Sequence, residues 1–401
     1  MFLIKSTSRN ILNIKSSILK CSSIRCFSVF DGIQKDEWFN ITPSIESKIG
    51  LNYYMQPSHP LNIIKKSIES YFKGLSDTQF QCIDGLKPIV STYQAFDSLL
   101  IPKDHVSRSS NDTFYINKDT ILRPHTSAHQ VEFLSKGYDA FTVTGDVYRR
   151  DTIDSRHYPV FTQMEAVKLL PGINDSNVVI NDLKKTVEGM VQCLFKGVEM
   201  RWVEGYFPFT CNSLELEINF DHNWVEVLGC GQIQDQVLKN GHVNDKKGWA
   251  LGFGLDRLAM ILFSIPDIRL LWSQDPRFLS QFKGYDEGIN VNVVNKHIPH
   301  FIPFSKYPSC YKDMSFFLPQ GMKQDSFSEN TFCEIIREHT NDMVEKIELI
   351  DSFHNPKKDK TSLCYRITYR SLDRNLTNEE INVLQDQVRK EVSSIMKVNL
   401  R

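Results

Sequence analysis

The sequence lacks the features that mark several classes of protein. Its 401 residues contain no run of about 18 or more apolar residues, so we expect no membrane-spanning helix. The nine cysteines form no Cys-x-x-Cys pair, which argues against a zinc site and a disulfide framework and fits a reducing compartment. The formal net charge is −1, so any contact with nucleic acid must come from local basic patches.

Acidic residues are missing from the N-terminal stretch, where Asp31 is the first. Basic and hydroxyl side chains occupy the same stretch, and Ile11, Ile14 and Ile18 recur at helical spacing. A basic, amphipathic segment without acidic residues is typical of a mitochondrial transit peptide. We predict one over residues 1–28, with delivery to the mitochondrial matrix; a basic tail without a targeting role is the alternative.

The composition of the whole chain, 41% hydrophobic and 24% charged, is that of a globular protein with room for two or three domains. Helical periodicity is clear over residues 178–196, where Val179, Leu183 and Val187 fall on one face and Gly197 ends the pattern. We predict a helix there and assign it no chemistry.

Residues 145–170 predict a strand, a polar loop and a returning strand. Arg149 and Arg156 supply fixed positive charge with the forked donors that suit phosphate. Gln163 and Glu165 are two residues apart on the second strand, so they share a face and can hold an ammonium group. For any one of these arginines taken alone, a solvated hairpin tip is the simpler interpretation.

The segment His125-Thr-Ser-Ala-His-Gln130 carries two histidines four residues apart. The sequence offers no third ligand and no Glu of an HExxH motif, so we reject a metal pair. A helix N-terminus fits better, with Thr126 or Ser127 as the capping residue and free backbone N–H groups directed at an anion.

Two further stretches have the residue types of a binding site. Phe207 and Phe209 flank a proline, so both rings can face one side and receive another ring; buried core aromatics are the alternative. Gly252 and Gly254 suggest a dinucleotide fingerprint, but its third glycine is absent. Glu226 projects from a predicted strand, where a carboxylate needs a cation.

These motifs together resemble those of one family, the class II aminoacyl-tRNA synthetases. GDVYRRD…HYPVFTQMEAV resembles their second signature motif, in the version of the single-chain mitochondrial phenylalanyl-tRNA synthetases. Residues 252–257, GFGLDR, resemble the third motif, and residues 96–108, with Pro102, the first. Asp256 stands where Glu is usual, and Leu251 where relatives often carry Phe.

The resemblance covers nearly everything after residue 50 and implies an α+β fold. It implies a class II catalytic domain over residues 31–285, built on an antiparallel sheet flanked by helices, and a linker over residues 286–302. Residues 303–401 read as strand, helix, strand, hairpin, strand, helix, and KYPS…KDMSF…ELID…YRITYR resembles the family's ferredoxin-like, split βαβ anticodon-binding domain.

The activity implied by the resemblance is activation of phenylalanine by ATP, with Mg²⁺, followed by transfer to mitochondrial tRNA(Phe). Arg149 would contact the α-phosphate and Arg257 the γ-phosphate. Phe161 would stack on adenine, and no metal bound by protein ligands alone is expected. The other predicted substrate contacts are Ser127, Ala128, His129, Gln130, Arg156, His157, Tyr158, Gln163, Met164, Glu165, Phe207, Phe209, Glu226 and Leu251.

A basic set in the last segment is the predicted tRNA contact, with a solvated hairpin face as the alternative. Its members are Lys357, Lys358, Lys360, Arg366, Arg370 and Arg374. The resemblance further implies a monomer without membrane contact, and cutting near residue 290 is expected to spare activation while removing tRNA charging. Two other functions stay open: RNA binding without catalysis, and the same chemistry on another amino acid.

Overall fold

The computed structural model describes residues 30, 32–289, 298–303, 307–340, 342–355, 359–372 and 374–401. The predicted transit peptide, Lys357 and Lys358 lie outside the described residues. All that follows concerns Lys35–Arg401, which is one compact unit. Among the described residues, no helix combines the length and apolar character needed to cross a membrane.

The helices and strands are as follows. The helices are α1 Pro43–Glu46, α2 Pro60–Lys73, α3 Thr92–Ala95, α4 Gln130–Ser135, α5 Ser176–Leu194, α6 Asp235–Asn240, α7 Leu255–Phe263, α8 Pro276–Leu279, α9 Glu329–Thr340 and α10 Asn378–Met396. The strands are β1 Gln81–Ile83, β2 Ile89–Ser91, β3 Tyr115–Asn117, β4 Thr120–Leu122, β5 Ala140–Tyr148, β6 Val160–Pro171, β7 Met200–Glu204, β8 Thr210–Phe220, β9 Asn223–Ile233, β10 Lys246–Gly254, β11 Cys310–Phe317, β12 Val344–Asn355, β13 Lys360–Tyr369 and β14 Asn399–Leu400.

The main sheet has seven strands in the order β1-β5-β6-β10-β9-β8-β7. All neighbours are antiparallel except β1 and β5, which are parallel. Every residue of β5 is buried, so both faces of the sheet are covered at its centre. A second sheet of three strands has the order β2-β4-β3. The predicted helix after β6 is confirmed as α5, which buries Val179, Leu183 and Val187.

The central hairpin of the sheet is β5 and β6, joined by residues 149–159. Along β6 the side chains alternate, so Gln163 and Glu165 share one face while Met164 points to the other. This confirms the strand–loop–strand pattern predicted from the sequence. One face of the hairpin packs on a core cluster that includes Val143, Val167 and Leu169.

Residues 307–401 form a four-stranded antiparallel sheet in the order β12-β13-β11-β14, with α9 and α10 contributing to its core. The sequence predicted this element order, except for the two-residue strand β14. The last helix begins with a capping box, because Thr377 and Glu380 each bond the other's backbone N–H. The α+β fold with a split βαβ module is confirmed.

The chain between the two domains is tied to the first domain at the ends that the structure describes. The N–H of Ile289, a buried residue, donates to Oγ of Ser67 on α2 at 2.8 Å. The N–H of Phe301 donates to the carbonyl of Phe263, at the end of α7, at 2.7 Å. The described ends of the predicted linker therefore belong structurally to the first domain.

Candidate functional site

The candidate site lies on one face of the main sheet, over a floor made largely of glycine. Glu165 on β6 pairs with Val143 on one side and with Gly252 on the other, and Gly252 pairs with Gly229. Gln163 pairs with Gly254. Since opposite residues in antiparallel strands share a face, the two polar side chains stand beside glycines that leave space for a ligand.

Glu165 is the ionisable group at the centre of this floor. Its side chain is buried, and neither carboxyl oxygen has a hydrogen-bonding partner within the described residues. Burial raises the pKa of the Glu165 carboxyl to about 8, although the Ser127 side chain lies near enough to offset part of this rise. A buried carboxyl without a partner is costly to ionise, so the site favours a ligand that brings a positive charge or a donor.

The 125–130 segment approaches Gln163 through its backbone. The N–H of Thr126 donates to Oε1 of Gln163 at 3.2 Å, which leaves the amide nitrogen of Gln163 available as a donor. The segment forms a 3₁₀ turn, Thr126–His129, that leads into α4. Neither the 3₁₀ turn nor α4 has a side-chain cap at its first residue, so the predicted capping by Thr126 or Ser127 is wrong. The side chain of Gln163, on a distant strand, accepts from the N–H of Thr126 instead.

Two aromatic rings border the floor beside Gly229. The ring centroids of Phe207 and Phe209 are 6.1 Å apart with planes tilted by 31°, and the Phe209 ring stacks loosely on His125 at 6.4 Å. Both phenylalanines are half-buried. A side chain at position 229 would clash with the Phe207 ring, so glycine is required there for the ring to lie on the sheet. The pair offers apolar edges to a flat apolar ligand.

Arg149 follows β5 directly and is held by two contacts. Its Nε donates to the carbonyl of Pro124 at 2.7 Å, and its guanidinium carbon lies 5.2 Å from the ring centroid of Phe161. The Nη groups stay available for a ligand, because no carboxylate pairs with Arg149 in the described structure. A fixed, unpaired guanidinium next to an aromatic ring suits a planar base bearing phosphates.

The loop tip contains a carboxylate–imidazole pair. Asp154 accepts from the N–H groups of Arg156 and His157 and contacts Nδ1 of His157 at 2.7 Å. Burial alone would raise the pKa of Asp154, but the hydrogen bonds from His157 and from the backbone N–H groups lower it to about 2. The bond to Asp154 in turn raises the pKa of His157. Arg156 and His157 are both exposed and bring positive charge to the rim.

Arg257 and Glu226 meet at the opposite rim. Nη1 of Arg257, on the first turn of α7, donates to the backbone carbonyl of Glu226 at 3.1 Å and lies 3.9 Å from its carboxylate. Both side chains are about half exposed, so the pair is a loose surface contact that a phosphate can replace. Among the described residues, no group of three or more His, Cys, Asp or Glu is arranged to hold a metal ion.

Several predicted contacts are not brought to this floor. Met164 and Leu251 are buried and point to the other face of the sheet. Tyr158 is buried, with its hydroxyl donating to Asp342 of the second domain at 2.9 Å and its ring stacked on Trp272. Their predicted roles therefore have no direct geometric support. Ala128, His129 and Gln130 are buried beside the floor, and the Gln130 amide has no partner among the described residues.

Sequence reasoning missed buried polar groups beside and behind the site. Arg123 is 1% exposed; it donates to the carbonyl of Asp146 at 2.8 Å and occupies the space left by Gly145. Thr162 joins two carboxylates, with its hydroxyl on Asp146 and its N–H on Asp256. Burial raises the pKa of Asp146 to about 6 and that of Asp256 to about 7. The sequence feature that could have indicated these buried groups is Arg123, a single arginine directly before Pro124.

The basic residues of the C-terminal domain are mostly paired with acidic neighbours. Arg366 makes a two-pronged contact with Asp313, at 2.8 and 2.9 Å. Arg370 bonds Glu345 and Arg374 bonds Glu380, each at 2.9 Å. Nζ of Lys360 lies 5.7 Å from the ring centroid of Phe317. The set is therefore a mixed-charge surface rather than a patch of unpaired cations.

Family models match both parts of the chain. Residues 45–282 match the model described as tRNA synthetases class II core domain (F). Residues 305–401 match the model of the ferredoxin-fold anticodon binding domain.

Curated relatives are similar over nearly the whole length. The chain is 48% identical to the chloroplastic/mitochondrial phenylalanine–tRNA ligase of Arabidopsis thaliana, over 92% of this chain and 85% of the relative. It is 46% identical to the mitochondrial phenylalanine–tRNA ligase of Dictyostelium discoideum, over 90% and 89%. Against the mitochondrial enzyme of Rattus norvegicus the identity is 42%, over 92% and 87%.

Proposed function

The chain belongs to the class II aminoacyl-tRNA synthetases, in their phenylalanine–tRNA ligase family, and from that premise we propose how its own residues perform the reaction. The protein activates phenylalanine with ATP and transfers it to tRNA(Phe) for mitochondrial translation. Residues 1–28 would deliver it to the matrix, and one chain would suffice as a monomer. The observation that carries the assignment is the buried, unpartnered Glu165 on a glycine floor beside Phe207 and Phe209.

Phenylalanine binds with its ammonium at Glu165 and Gln163 and its ring between Phe207 and Phe209. Ammonium supplies three hydrogen-bond donors and a positive charge, which are the interactions that the buried Glu165 carboxyl lacks. Binding favours the carboxylate form of Glu165, which then loses the proton it holds near neutral pH. The amino acid is thereby fixed with its own carboxylate directed toward Arg149.

Activation joins two anions, so positioning and positive charge provide most of the catalysis. A carboxylate oxygen of phenylalanine forms a bond to the α-phosphorus of ATP while the bond from that phosphorus to the bridging oxygen breaks, and pyrophosphate leaves. No general base is required, since the carboxylate is already ionised. Arg149 stabilises charge at the α-phosphate, Arg257 holds the γ-phosphate, and Phe161 stacks on adenine.

Magnesium is the accompanying ion proposed for ATP. Mg²⁺ is usually held by substrate phosphates with one or two carboxylates and several waters, so no cage of protein ligands is needed. Glu226 fits this role, because it is exposed at the rim where Arg257 lies. Burial raises the pKa of the neighbouring Glu215, and the charge of Glu226 adds to that rise. When bound, the ion would neutralise phosphate charge, and Glu226 is the residue that would hold it.

Transfer of the aminoacyl group requires the tRNA, which we assign to the C-terminal domain through Lys360, Arg366, Arg370 and Arg374. The acidic partners of the three arginines would be exchanged for phosphates, so tRNA affinity should fall steeply with salt. Lys357 and Lys358 are adjacent in sequence and extend the same proposal.

The test of the function is phenylalanine-dependent exchange of pyrophosphate into ATP by the purified protein, repeated with all twenty amino acids. We expect exchange with phenylalanine and weaker exchange with tyrosine, since an apolar slot rejects an added hydroxyl by only about 1–3 kcal/mol. No exchange from folded protein would favour an RNA-binding protein without catalysis, and a stronger response to another amino acid would overturn the substrate.

A further inference from the structure

The ATP-site loop carries an isoleucine that is buried in the other domain. Ile153 lies midway between β5 and β6 and is 6% exposed. It belongs to the apolar cluster that forms the core of the C-terminal domain. Buried members of this cluster from α9, β11 and β12 include Met314, Phe332, Cys333, Ile336, Val344 and Ile347. A catalytic-domain loop thus supplies part of the second domain's core.

The backbone around Ile153 is bonded to the same domain. The N–H of Ile347, on β12, donates to the Ile153 carbonyl at 3.0 Å. Nη2 of Arg337, on α9, reaches the carbonyls of Asp151 and Thr152 at 3.3 and 3.4 Å. Arg337 is itself buried and paired with Glu334, so these donors come from a fixed side chain.

Both ends of the loop are held in the same way. Nδ2 of Asn330 lies 3.3 Å from the carbonyl of Arg150, and the Tyr158 hydroxyl donates to Asp342. Between these anchors only the tip, with Arg156 and His157, is exposed. From the first domain, the N–H of Ile268 donates to the carbonyl of Ser155 at the tip at 2.9 Å, and the carbonyl of Asp112 accepts from the N–H of Arg150 at the loop's start at 2.8 Å.

We infer that Ile153 is a positioning residue for the ATP step, held in the C-terminal core so that the loop presents Arg149 and the tip cations to the triphosphate. Arg149 precedes Ile153 by four residues and Arg156 follows it by three. Releasing Ile153 frees the loop between them, and ordering it again costs conformational entropy each time ATP binds.

This inference rests on the proposed function and changes one expectation drawn from the sequence. Removing the C-terminal domain was expected to spare activation. The anchors predict instead that activation depends on the second domain, through the loop, even when no tRNA is present.

The experiment compares Ile153→Ala with Ile381→Ala in the full chain. Both changes remove the same side-chain atoms from the same apolar core, but Ile381 lies on α10 and is not part of the loop. For Ile153→Ala we expect the KM for ATP in pyrophosphate exchange to rise about 10- to 100-fold, with little change in the KM for phenylalanine. Ile381→Ala should leave both KM values unchanged below its melting temperature.

Two further variants keep the test decisive if Ile153→Ala folds poorly. Ile153→Val retains most of the contact and should stay within about twofold of wild type. Arg337→Lys keeps the charge beside Glu334 but removes the fork that reaches two loop carbonyls, so it should raise the KM for ATP severalfold. Binding of a non-hydrolysable ATP analogue, measured by calorimetry, should weaken in parallel.

The results separate the two proposals. Wild-type protein without exchange would refute the proposed function. An active wild type in which Ile153→Ala or Arg337→Lys leaves the KM for ATP unchanged would refute the positioning role alone. Equal rises for Ile153→Ala and Ile381→Ala would also overturn it, because the effect would then come from general loss of the domain's core.

Discussion

The pocket on the main sheet and the basic surface of the C-terminal domain use charge in opposite ways. In the pocket, neither the Glu165 carboxyl nor the Arg149 guanidinium has a charged partner among the described residues, and the Arg149 side chain contacts a carbonyl and an aromatic ring. In the C-terminal domain, Arg366 and Arg370 are each bonded to a carboxylate. The first region leaves its ionisable groups without a charged partner until a ligand binds, whereas the second pairs its arginines with carboxylates.

The difference indicates how each region binds. Groups held without partners cost stability in the free protein but interact with a ligand at nearly full strength. An arginine that must give up a carboxylate partner to bind a phosphate gains only the difference between the two interaction free energies. That difference is small at a solvent-exposed surface. We therefore expect strong single-residue effects in the pocket and weak, salt-dependent effects on the C-terminal surface.

Arg149→Ala should have the largest effect. Removing one preorganised donor from a developing negative charge costs on the order of 10²–10³-fold in rate. We expect that loss in pyrophosphate exchange, with an unchanged melting temperature. Arg201→Ala is the control, since Arg201 is an exposed arginine paired with Glu217. If the Arg149→Ala variant exchanges pyrophosphate as fast as this control, Arg149 has no role in the mechanism.

Glu165→Gln should weaken phenylalanine binding by about 10- to 150-fold, the value of one charge-assisted bond of about 1.5–3 kcal/mol. The KM for phenylalanine should rise and that for ATP should not. In wild type the KM for phenylalanine should fall as pH rises from 5 toward 8, because the carboxyl with a pKa of about 8 must lose its proton to pair with ammonium. A flat pH profile would contradict this.

Although Glu165→Gln should weaken phenylalanine binding, it should raise the thermal stability of the ligand-free protein at high pH. The Glu165 pKa rises from 4.5 to about 8 on folding, so the folded state retains a proton that the unfolded state releases between those values. Ligand-free wild type therefore loses stability as pH rises across that window. Glu165→Gln should melt higher than wild type at pH 8 and close to it at pH 4.5; the reverse order would show that Glu165 is paired.

Gly229→Ala should act on one substrate only. The new methyl group would clash with the Phe207 ring and displace it, and crowding of this kind costs about 1–3 kcal/mol. We expect the KM for phenylalanine to rise about tenfold. Gly189→Ala is the control, because its methyl on α5 would overlap the Tyr71 ring on α2, away from the glycine floor; an equal effect on phenylalanine there would refute the aromatic slot.

Asp313→Asn should give the smallest effect, and its sign is the informative part. The change frees Arg366, so tRNA binding should tighten by up to about fivefold at low salt, while Arg366→Gln weakens it by a similar factor. Pyrophosphate exchange should be unchanged in both. Filter binding over a salt series measures this, and no response to Asp313→Asn would place the tRNA on another surface.

Local pattern was enough to predict the central hairpin, α5 and the element order of the C-terminal domain. Strand alternation puts Gln163 and Glu165 on one face whatever the rest of the chain does, which is why that part of the site could be predicted. Recognising the motifs as an ordered set supplied the other roles, because no single spacing distinguishes a phosphate contact from a solvated arginine.

What the sequence could not reveal depends on distant partners. The missing cap at Thr126 depends on Gln163, 37 residues away, and the neutralisation of Arg366 depends on Asp313, 53 residues away. Ile153 reads as one apolar residue in a polar loop, although the core that buries it lies at the other end of the chain. Tertiary packing sets such pairings, and hydrophobic periodicity along the chain carries no information about them.

The most direct measurement is a crystal structure with a non-hydrolysable phenylalanyl-adenylate analogue. We expect its ammonium within hydrogen-bonding distance of Glu165 and Gln163, its ring between Phe207 and Phe209, and its phosphate on Arg149. An analogue bound elsewhere, or a pocket in which Arg149 turns to solvent and the two rings close on each other, would contradict the account.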